Sequence, residues 1–583
     1  MRLVYAPLTM TKTIATFAIF LAAASPQVPS TQPSVPGQSQ QAPAAPADQP
    51  KADCALLGQV LNGITGEPLR KAVVTLRGQG GQNMARQADV DGAGRFEFRN
   101  IEPGRYILTA KRTGFADQAY GAKRPGSRRG SPVSIEQGQE MKNLVIKLTP
   151  HGVVMGRLLD EDGEPKAGVS ISAMRFEWMG NRRQLSSYGS STTNDLGEYR
   201  IYGLAPGTYI LQASPPRDYN FTGPDPELSA KPEEGYVTTC YPGTTDSSTA
   251  AHVSVKAGTE LRGFDFRMAK SHVVRVRGIV LNGATGKPVR TSLMLFPRNK
   301  GYSAWMEMKQ AVVMDQHGTF EFKNVSPGSY TLRGNLMSQE IRLGAVQTLD
   351  VGDDHIRNLV VTLNPGSEIP GTLKIEGQEQ MDSSASPVHV SLTPWGSEDD
   401  GMSGTFGEVN DDGSFKLTAV QPARYRVRAS GVDGAYLKAA RWGDQDVVES
   451  GLDLSQGVAG GALELVMSKK APEVSGTVQN DDGKHLTGAT VVLLPDEQHR
   501  DQFESYPSST TDQNGAFTVK NVRPGKYKVL AWEELEGSEY MDPEFTKPFE
   551  GKAVSVSLDE GAKEALQLTA IQADAAAREK EDR

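Results

Sequence analysis

One short pattern recurs along the chain and limits what it can fold into. Its clearest copy is Thr511–Ala531, where an Asp/Asn/Gly turn leads into a strand that places Phe517 and Val519 on one face. A Pro-Gly turn at Pro524 follows, and the alternation resumes at Tyr527. Such residues tolerate the backbone angles of tight turns, and period-two alternation is typical of a half-buried strand. The stretch therefore predicts a hairpin unit.

Four further copies make the unit a repeat. They are Gly94-Arg95-Phe96 with Pro103-Gly104-Arg105-Tyr106, Gly197-Glu198-Tyr199 with Pro206-Gly207-Thr208-Tyr209, Gly318-Thr319-Phe320 with Pro327-Gly328-Ser329-Tyr330, and Gly413-Ser414-Phe415 with Pro422-Ala423-Arg424-Tyr425. The fourth copy has Ala423 in place of the turn glycine. The tyrosines lie 103, 121, 95 and 102 residues apart along the chain. Because this period is the size of a domain, we expect each repeat to have its own core.

A second motif precedes every copy except the fourth. Gly58–Leu69 and Gly278–Val289 have nearly the same amino-acid sequence, and shorter versions of this motif occur at Gly156–Pro165 and Gly476–Gly483. The order of Gly-x-Val, Asp/Asn-Gly turn, apolar strand, Gly-x-Phe and Pro-Gly-x-Tyr resembles the carboxypeptidase regulatory-like family. That family has a transthyretin-like β-sandwich within the carbohydrate-binding-like fold, akin to collagen-adhesin B-type repeats. The resemblance covers Cys54 to about Ala570 and implies an all-β chain of five tandem β-sandwich domains.

The N-terminal residues predict export. Arg2 and Lys12 are positive, Thr13–Leu21 is apolar but too short to span a bilayer, and Ala22–Ala24 fits a cleavage site. We expect a soluble exported product, periplasmic or extracellular. The predicted division is a signal peptide at 1–25, a disordered Pro/Gln/Ala linker at 26–52, repeats at 53–150, 151–270, 271–365, 366–469 and 470–571, and a charged tail at 572–583.

The composition limits the classes of partner that the chain is expected to bind. The chain has 62 basic and 70 acidic residues and a net charge of −8, which argues against a general nucleic-acid surface. The mature chain has no apolar run of membrane length, so no transmembrane segment is predicted. The 61 glycines and 35 prolines lie at strand boundaries, in keeping with an all-β fold.

The motifs of catalysis and metal binding are missing from the sequence. None of the eight histidines begins a His-x-x-Glu pair, and there is no Gly-x-Ser-x-Gly elbow and no phosphate-binding glycine loop. A Lys-Asn bond of the collagen-adhesin type would need a recurring lysine, where the repeat heads have Val, Leu or Thr. We therefore predict no catalytic, cofactor-binding or metal-binding residue, no cofactor, and no enzyme activity.

Acidic turns offer calcium as an alternative. Asp89–Gly94, Asp160–Gly163, Asn410–Gly413 and Asn480–Gly483 resemble fragments of calcium loops. An EF-type loop from Asp89 would need a bidentate Glu where Asn100 stands. Hairpin turns require Asp/Asn-Gly without any metal, so we interpret these segments as turns.

The two cysteines leave one covalent question open. Cys54 lies at the head of repeat one and Cys240 late in repeat two. Export permits a disulfide between them, but pairing cannot be read from sequence and the two belong to different repeats.

Candidate contact residues lie where the repeats differ. The basic loop Lys123–Arg129 includes Arg128 and Arg129, and it is either a site for an acidic glycan or phosphate or a solvated loop. Tyr241 and Trp442 lie in longer insertions, where aromatic faces can stack on sugars or on protein. The alternative is that both rings pack over the ends of their sandwiches.

Three functions follow from these observations. The first is a non-catalytic exported scaffold or adhesion-type protein that binds a protein or cell-surface partner through loops between strands. The second is an array of glycan-binding modules, which rests on analogy with the carbohydrate-binding-like fold. The third is an accessory part of a peptidase or other hydrolase system.

Overall fold

The structure is a computed structural model of the chain. It describes residues 54–576 apart from 80–84, 128, 181, 217–218, 221–232, 299–303, 305–306, 338–341, 379–386, 396–403, 433, 459–460 and 536. The predicted signal peptide, the predicted linker and residues 577–583 of the predicted tail lie outside the described residues.

The described chain is built from β-strands that form repeated sandwiches, which confirms the predicted fold class. Sandwich one contains β1 (Cys54–Asn62), β2 (Val73–Gly78), β3 (Ala85–Asp89), β4 (Arg95–Ile101), β5 (Gly104–Lys111), β6 (Gln118–Ala119), β7 (Val133–Ile135) and β8 (Glu140–Leu148). Sandwich two contains β9 (Gly152–Leu159), β10 (Ser170–Met179), β11 (Arg182–Thr192), β12 (Glu198–Leu204), β13 (Gly207–Ser214), β16 (Thr239–Cys240), β17 (Val253–Val255), β18 (Glu260–Leu261) and β19 (Phe266–Arg267).

The remaining strands form three further sandwiches. Sandwich three contains β14 (Tyr219–Asn220), β15 (Glu233–Tyr236), β20 (Lys270–Asn282), β21 (Ser292–Pro297), β22 (Lys309–Val312), β23 (Thr319–Val325), β24 (Gly328–Met337), β25 (Arg342–Val351) and β26 (Ile356–Pro365). Sandwich four contains β27 (Ser367–Ile375), β28 (His389–Pro394), β29 (Thr405–Glu408), β30 (Ser414–Val420), β31 (Arg424–Ser430), β32 (Tyr436–Trp442), β33 (Gln445–Asp446), β34 (Leu452–Asp453) and β35 (Leu463–Ser468). Sandwich five contains β36 (Glu473–Gln479), β37 (Thr490–Pro495), β38 (Ser508–Thr510), β39 (Ala516–Val519), β40 (Gly525–Trp532), β41 (Val554–Leu558) and β42 (Lys563–Thr569).

The described helices are short. They include the 3₁₀ turns Ser247–Thr249, Glu497–His499, Phe503–Ser505, Glu539–Met541 and Lys547–Lys552, and the α-helical turn Pro543–Thr546. Residues 573–576, at the end of the described chain, are also helical.

The first strand has the same kind of partners in all five sandwiches. The first strand of each lies between an antiparallel partner and a parallel one, as β1 lies between β4 and β8. In sandwiches one, two, four and five the second sheet is antiparallel, with the order β3-β2-β5-β6 in sandwich one. In sandwich three, β25 also pairs with β26, so its strands form one continuous nine-stranded sheet. Because the inner faces of two such sheets pack together, each sandwich has a cluster of buried apolar side chains between them.

A glycine of the first strand faces an aromatic ring in every sandwich. At Gly278, an added Cβ would lie 1.8 Å from Leu359 O and 2.8 Å from Phe320 Cζ, so the strand needs glycine there. The cross-strand pairs are Gly58 with Phe96, Gly156 with Tyr199, Gly278 with Phe320, Gly371 with Phe415, and Gly476 with Phe517. The fourth copy, which has no recognisable head in its sequence, therefore has its equivalent at Gly371.

The tyrosine that ends each repeat motif closes its own turn. In every case the phenolic hydroxyl donates to the carbonyl oxygen four residues earlier, which is the geometry of a tyrosine corner. The bonds are Tyr106 to Glu102 O (2.7 Å), Tyr209 to Ala205 O (2.6 Å), Tyr330 to Ser326 O (2.8 Å), Tyr425 to Gln421 O (2.6 Å) and Tyr527 to Arg523 O (3.0 Å). The hydroxyl thus has a partner while the ring packs beside the core.

Sandwiches two and three are joined by shared strands. Strand β15 comes from the insertion after β13, yet it pairs antiparallel with the start of β20, from Glu233 opposite Val273 to Tyr236 opposite Lys270. Strand β14, from the same insertion, pairs with β22. The segment predicted as repeat two therefore contributes two strands to the sheet of sandwich three.

Sandwich five is buried on both faces of its second sheet. The predicted alternation places Val529 and Ala531 in the core, and both are buried there. Leu530 and Trp532 point to the opposite face, where a single-core sandwich would expose them, yet they are also buried. The short helices between residues 539 and 552 cover this face and complete a second apolar cluster. The second cluster also includes Ile571 and Ala576, so the predicted charged tail begins inside it.

Candidate functional site

Sandwich five lies directly against sandwich one, although the two are at opposite ends of the described chain. Thr510 Oγ1 donates to Gly130 O at 2.7 Å, and Ser134 Oγ donates to Asp512 Oδ2 at 3.0 Å. Gln513 Nε2 donates to Ser134 O at 2.9 Å. The turn that begins the clearest repeat copy is therefore a contact between sandwiches as well as a hairpin turn.

A cavity of about 580 Å³ opens between these two sandwiches. Three cationic side chains line it, Arg105 and Arg129 from sandwich one and Lys520 from sandwich five. Five hydroxyl side chains from sandwich five line it as well: Thr490, Ser508, Ser509, Thr510 and Thr518. The volume falls within the range of small-molecule sites.

The charged side chains in the described lining of this cavity are all positive. Among the described residues, the lining includes no carboxylate and no ion pair joins Arg105, Arg129 or Lys520 to an acid. Arg105 Nε is buried and has no hydrogen-bond partner within the described part of the chain. A buried donor without a partner costs free energy, and no acid offsets the charge of this guanidinium among the described residues.

The basic loop Lys123–Arg129 contributes to this junction. Arg124 Nε forms an ion pair with Glu534 Oε1 at 2.7 Å. Arg129 donates to Gly537 O at 3.2 Å, and its guanidinium lies 5.9 Å from the ring centre of Tyr540. Two of its cations thus contact sandwich five, a role that neither sequence-based interpretation of the loop included. Arg128 lies outside the described residues.

The two candidate aromatic rings pack on their own cores. Tyr241 lies 5.4 Å from Phe264 and 5.9 Å from Phe266, measured between ring centres. Trp442 ends β32 and packs half-buried against the core of sandwich four, over Gly461, where an added Cβ would lie 2.5 Å from Trp442 Cζ2. Neither ring lines the cavity, and the alternative of packing over the sandwich end describes both.

Neither cysteine is disulfide-bonded in the structure, although both are described. Cys54 is buried in the core of sandwich one, and its thiol donates to Glu136 O at 3.0 Å. Cys240 is buried in a different cluster, on the outer face of sandwich two with Met174 and Ile210. The suggested bridge is therefore not formed, because each thiol is enclosed by the side chains of its own sandwich.

The side chains of the acidic turns accept hydrogen bonds from backbone N–H groups of the same turns. Asp91 Oδ1 accepts from the N–H of Arg95 at 2.8 Å and of Ala93 at 2.9 Å. The bonds to Arg95 are the main reason that the pKa of the Asp91 carboxyl is lowered. Asn480 Oδ1 accepts from Lys484 N in the same way, at 2.8 Å. Within the described ranges, no group of three His, Cys, Asp or Glu side chains is arranged to hold a metal ion.

A family model matches the two sandwiches that form the cavity. The carboxypeptidase regulatory-like domain model covers residues 55–149 and 473–539. Sandwich one and the larger part of sandwich five therefore resemble that domain in sequence. The shared first-strand glycine, the facing aromatic and the tyrosine corner extend the same architecture to the three sandwiches between them.

Comparison with solved structures gives distant similarities. A minor pilin of Streptococcus agalactiae is 14% identical over 37% of this chain and 96% of its own, with a TM-score of 0.21. The major pilin subunit of Bacillus cereus is 11% identical over 53% of this chain and 99% of its own, with a TM-score of 0.13. The Bacillus anthracis TIE protein is 14% identical, with a TM-score of 0.16, and the matched region spans 53% of this chain and about half (51%) of that protein. No curated protein matches the chain. Such scores carry no information on the arrangement of these domains or on their function.

Membrane insertion has no helical candidate in the described structure. None of the helices in the described ranges has the length and hydropathy needed to cross a bilayer.

Proposed function

We propose that this protein is a non-catalytic exported scaffold that binds a protein or cell-surface partner through loops between its strands. The proposal keeps the predicted division into a signal peptide, a linker, five β-sandwich domains and a tail, and it places the mature protein in the periplasm or outside the cell. Its sandwiches are built from packing and turn residues, and the insertion after β13 joins sandwich two to sandwich three.

The observation that carries the proposal is the joining of the domains themselves. Sandwich five contacts sandwich one through Thr510, sandwich two through Trp178, and sandwich four through Asp501, whose Oδ2 lies 2.7 Å from Arg426. Sandwiches two and three share a sheet. A chain joined in this way holds its free loops in fixed positions, which is what a scaffold must do for a partner to bind at more than one domain.

The test uses the mature chain and the envelope of the source cell. Immobilised native protein should retain a specific envelope component that protein immobilised after unfolding does not retain. The component should then bind purified native protein saturably. Failure of every retained component to bind in purified form would contradict the scaffold proposal, and turnover of a peptide or glycoside substrate by pure protein would contradict its non-catalytic part.

A second function, glycan binding, is favoured by the cavity. Hydroxyl, amide and guanidinium groups are suited to sugar hydroxyls, and the lining includes Gln79 as well as Arg105 and the serines of β38. On a glycan array, saturable binding that Ser509→Val removes and Trp442→Ala leaves intact would support this function at the cavity. The reverse pattern would instead place glycan binding at the Trp442 loop.

A further inference from the structure

We propose that the cavity between sandwiches one and five binds a small oxyanion carried on a hydroxyl-rich body, such as a sugar bearing a carboxylate, sulfate or phosphate group. This inference goes beyond the proposed scaffold function and does not depend on it. A scaffold could bind its partner elsewhere with this cavity empty, and the cavity could bind its ligand without any protein partner.

The sign of the ligand follows from the charged groups. Arg105, Arg129 and Lys520 bring three positive charges to one cavity, and its described lining has no carboxylate to balance them. Like charges that share a partly enclosed space repel each other, and an anion placed among them removes that repulsion. The remainder of the chain is acidic, with a net charge of −8, so this local excess is opposite to the overall charge.

Arg105 indicates where in the cavity the anion would bind. Its side chain projects from β5, one residue before the tyrosine of the corner, so the strand that carries it is fixed by the Tyr106 bond to Glu102 O. Arg105 Nε is buried and has no hydrogen-bond partner among the described residues. A guanidinium forms paired hydrogen bonds with planar oxyanions, so Arg105 is the lining residue best suited to hold the anion.

The other lining residues indicate the chemistry of the uncharged part of the ligand. Five residues of sandwich five that line the cavity carry hydroxyl groups, which can donate and accept hydrogen bonds, and the Thr510 hydroxyl already donates to Gly130 O. Gln79 adds an amide, and Ile107 is an apolar contact on the same wall. A bare inorganic anion would use the cations and leave much of the 580 Å³ volume to water. A sugar-sized body would use the hydroxyls as well.

Binding should also strengthen the junction. The anion's main partner, Arg105, belongs to sandwich one, whereas the hydroxyls and Lys520 belong to sandwich five. A ligand held by both walls binds the closed junction better than the separated one, so it shifts the equilibrium toward closure. Amide hydrogens of Ser508–Thr510 and of β5 should therefore exchange more slowly when ligand is present.

The experiment is calorimetric titration of the mature protein at low salt, with hydrogen exchange as the second readout. The probes are glucuronate and glucose 6-sulfate as acidic sugars, inorganic phosphate and sulfate as bare anions, and glucose as the neutral control. We expect saturable binding of at least one acidic sugar, at least about tenfold tighter than either inorganic anion, weakened by added salt, and no binding of glucose. Tighter binding of inorganic phosphate would identify the free anion as the ligand and overturn the sugar part of the proposal.

Variants locate the binding. Arg105→Gln and Lys520→Gln should each weaken binding of the acidic sugar about tenfold or more. Arg105→Lys should restore it only in part, because an ammonium lacks the paired geometry of a guanidinium. Arg99→Gln is the matched control, since Arg99 is an exposed residue of sandwich one that pairs with Glu97. Lys520 is exposed, so its variant tests the site even if Arg105→Gln disturbs folding.

Two results would overturn the proposal. One is the absence of saturable heat with every probe up to about 10 mM, a concentration at which even millimolar binding is measurable. The other is binding that Arg99→Gln weakens as much as Arg105→Gln and Lys520→Gln do. Neither result bears on partner retention by the scaffold, which is measured separately.

Discussion

Two junctions of the molecule join domains in opposite ways. Between sandwiches two and three, the backbone itself continues from one domain into the other, since β15 adds to the sheet that contains β20. Between sandwiches five and one, only side chains and single backbone atoms meet, and they surround a cavity. The first junction is built like the inside of a domain, and the second is built like a binding site between domains.

A buried carboxylate strengthens the first junction. Glu321 in β23 has a fully buried side chain, 3.4 Å from Arg275 and 2.5 Å from Arg277. Arg275 also pairs at 2.8 Å with Glu233, which lies on the incoming strand β15. Glu233 of the insertion is thus paired with a cation of sandwich three when β15 is in place. A junction of this kind should open only when the domains unfold.

The second junction has a smaller penalty for opening, because its buried carboxylate, Asp512, bonds the neutral hydroxyl of Ser134 across the junction and not a cation. Its contacts include the Arg124–Glu534 pair, in which each side chain is about a third exposed, at 35% and 31%. Partly exposed pairs of this kind contribute little free energy, and water can replace them. The difference indicates that the five–one junction is the place where the chain can respond to a ligand, and the two–three junction is the place where it cannot.

The largest predicted effect breaks the first junction. Glu321→Ala should lower the free energy of unfolding by about 3 to 5 kcal/mol, because it leaves Arg277 buried without its carboxylate. Urea unfolding measures the loss, and hydrogen exchange should place the loosened amides in β15, β20 and β23. Glu368→Ala is the control, since Glu368 pairs with Lys416 where both side chains are more than half exposed, at 58% and 56%. Equal shifts in the two variants would contradict the role given to the buried network.

The next prediction loosens the contacts of sandwich five. Trp178 extends from sandwich two onto the second apolar cluster of sandwich five. Trp178→Ala should cost about 1 to 2 kcal/mol, less than removal of a fully buried tryptophan, because this ring is only partly buried. Hydrogen exchange should rise in Glu539–Met541 and leave β15 and β20 unchanged. Phe406→Ala, which removes a side chain that is 75% exposed, should change neither measurement.

Local sequence patterns predicted the part of this fold that short segments determine. Alternation alone predicts that Phe96 and Phe98 share one face of their strand and that Tyr106 begins the dry face of the next, and all three are buried. The head of the fourth repeat could not be recognised, because its signal is a single glycine, Gly371. The need for glycine at this position is apparent only once Phe415 lies opposite it on the neighbouring strand. The sequence of neither segment alone determines the register of two strands that are distant in the chain.

The second cluster of sandwich five shows why alternation has limits. The run Val491–Leu494 is continuously apolar, a pattern of strands buried on both faces. The helical turns that cover the outer face follow the strand motif in sequence and have no period of their own to connect them with it. The cavity was missed for a related reason. Arg105 and Lys520 are far apart in sequence, and only packing of the first domain against the fifth brings them together.

A substitution inside one sandwich sharpens the comparison, because it should change stability without changing either junction. Ala419 has a φ of 61°, at the turn position where sandwiches one, three and five have asparagine and sandwich two has Gly203. A left-handed backbone at a residue with a Cβ costs about 1 to 2 kcal/mol. Ala419→Gly should therefore stabilise sandwich four by about 1 kcal/mol in urea, after the greater entropy of unfolded glycine is counted. Destabilisation would show that the Ala419 methyl group contributes packing that outweighs its backbone strain.

The smallest predicted effect is a pH dependence where sandwich four meets sandwich five. His499 Nε2 lies 3.1 Å from Glu449 Oε2 of sandwich four, and His499 Nδ1 contacts Asp496. Burial lowers the pKa of His499, but the bond to Asp496 and the charge of Glu449 outweigh burial and raise the pKa above its usual value. Burial also raises the pKa of the neighbouring Tyr527 to about 12, so that tyrosine does not titrate near neutral pH.

The sign of this dependence follows from the raised pKa. The protonated imidazole is favoured in the folded protein, so its contribution is complete below the pKa of the unfolded chain and is lost as the pH rises through the folded pKa. The amides of Glu497–His499 should therefore be more protected from hydrogen exchange at about pH 5.5 than at about pH 8, after correction for intrinsic rates. The difference in protection free energy should be less than about 1 kcal/mol, because the histidine is partly exposed. His499→Gln should remove the difference. The same difference at β15 and β20 would mean that the whole chain, and not this contact, responds to pH. Protection that increases with pH would contradict the raised pKa.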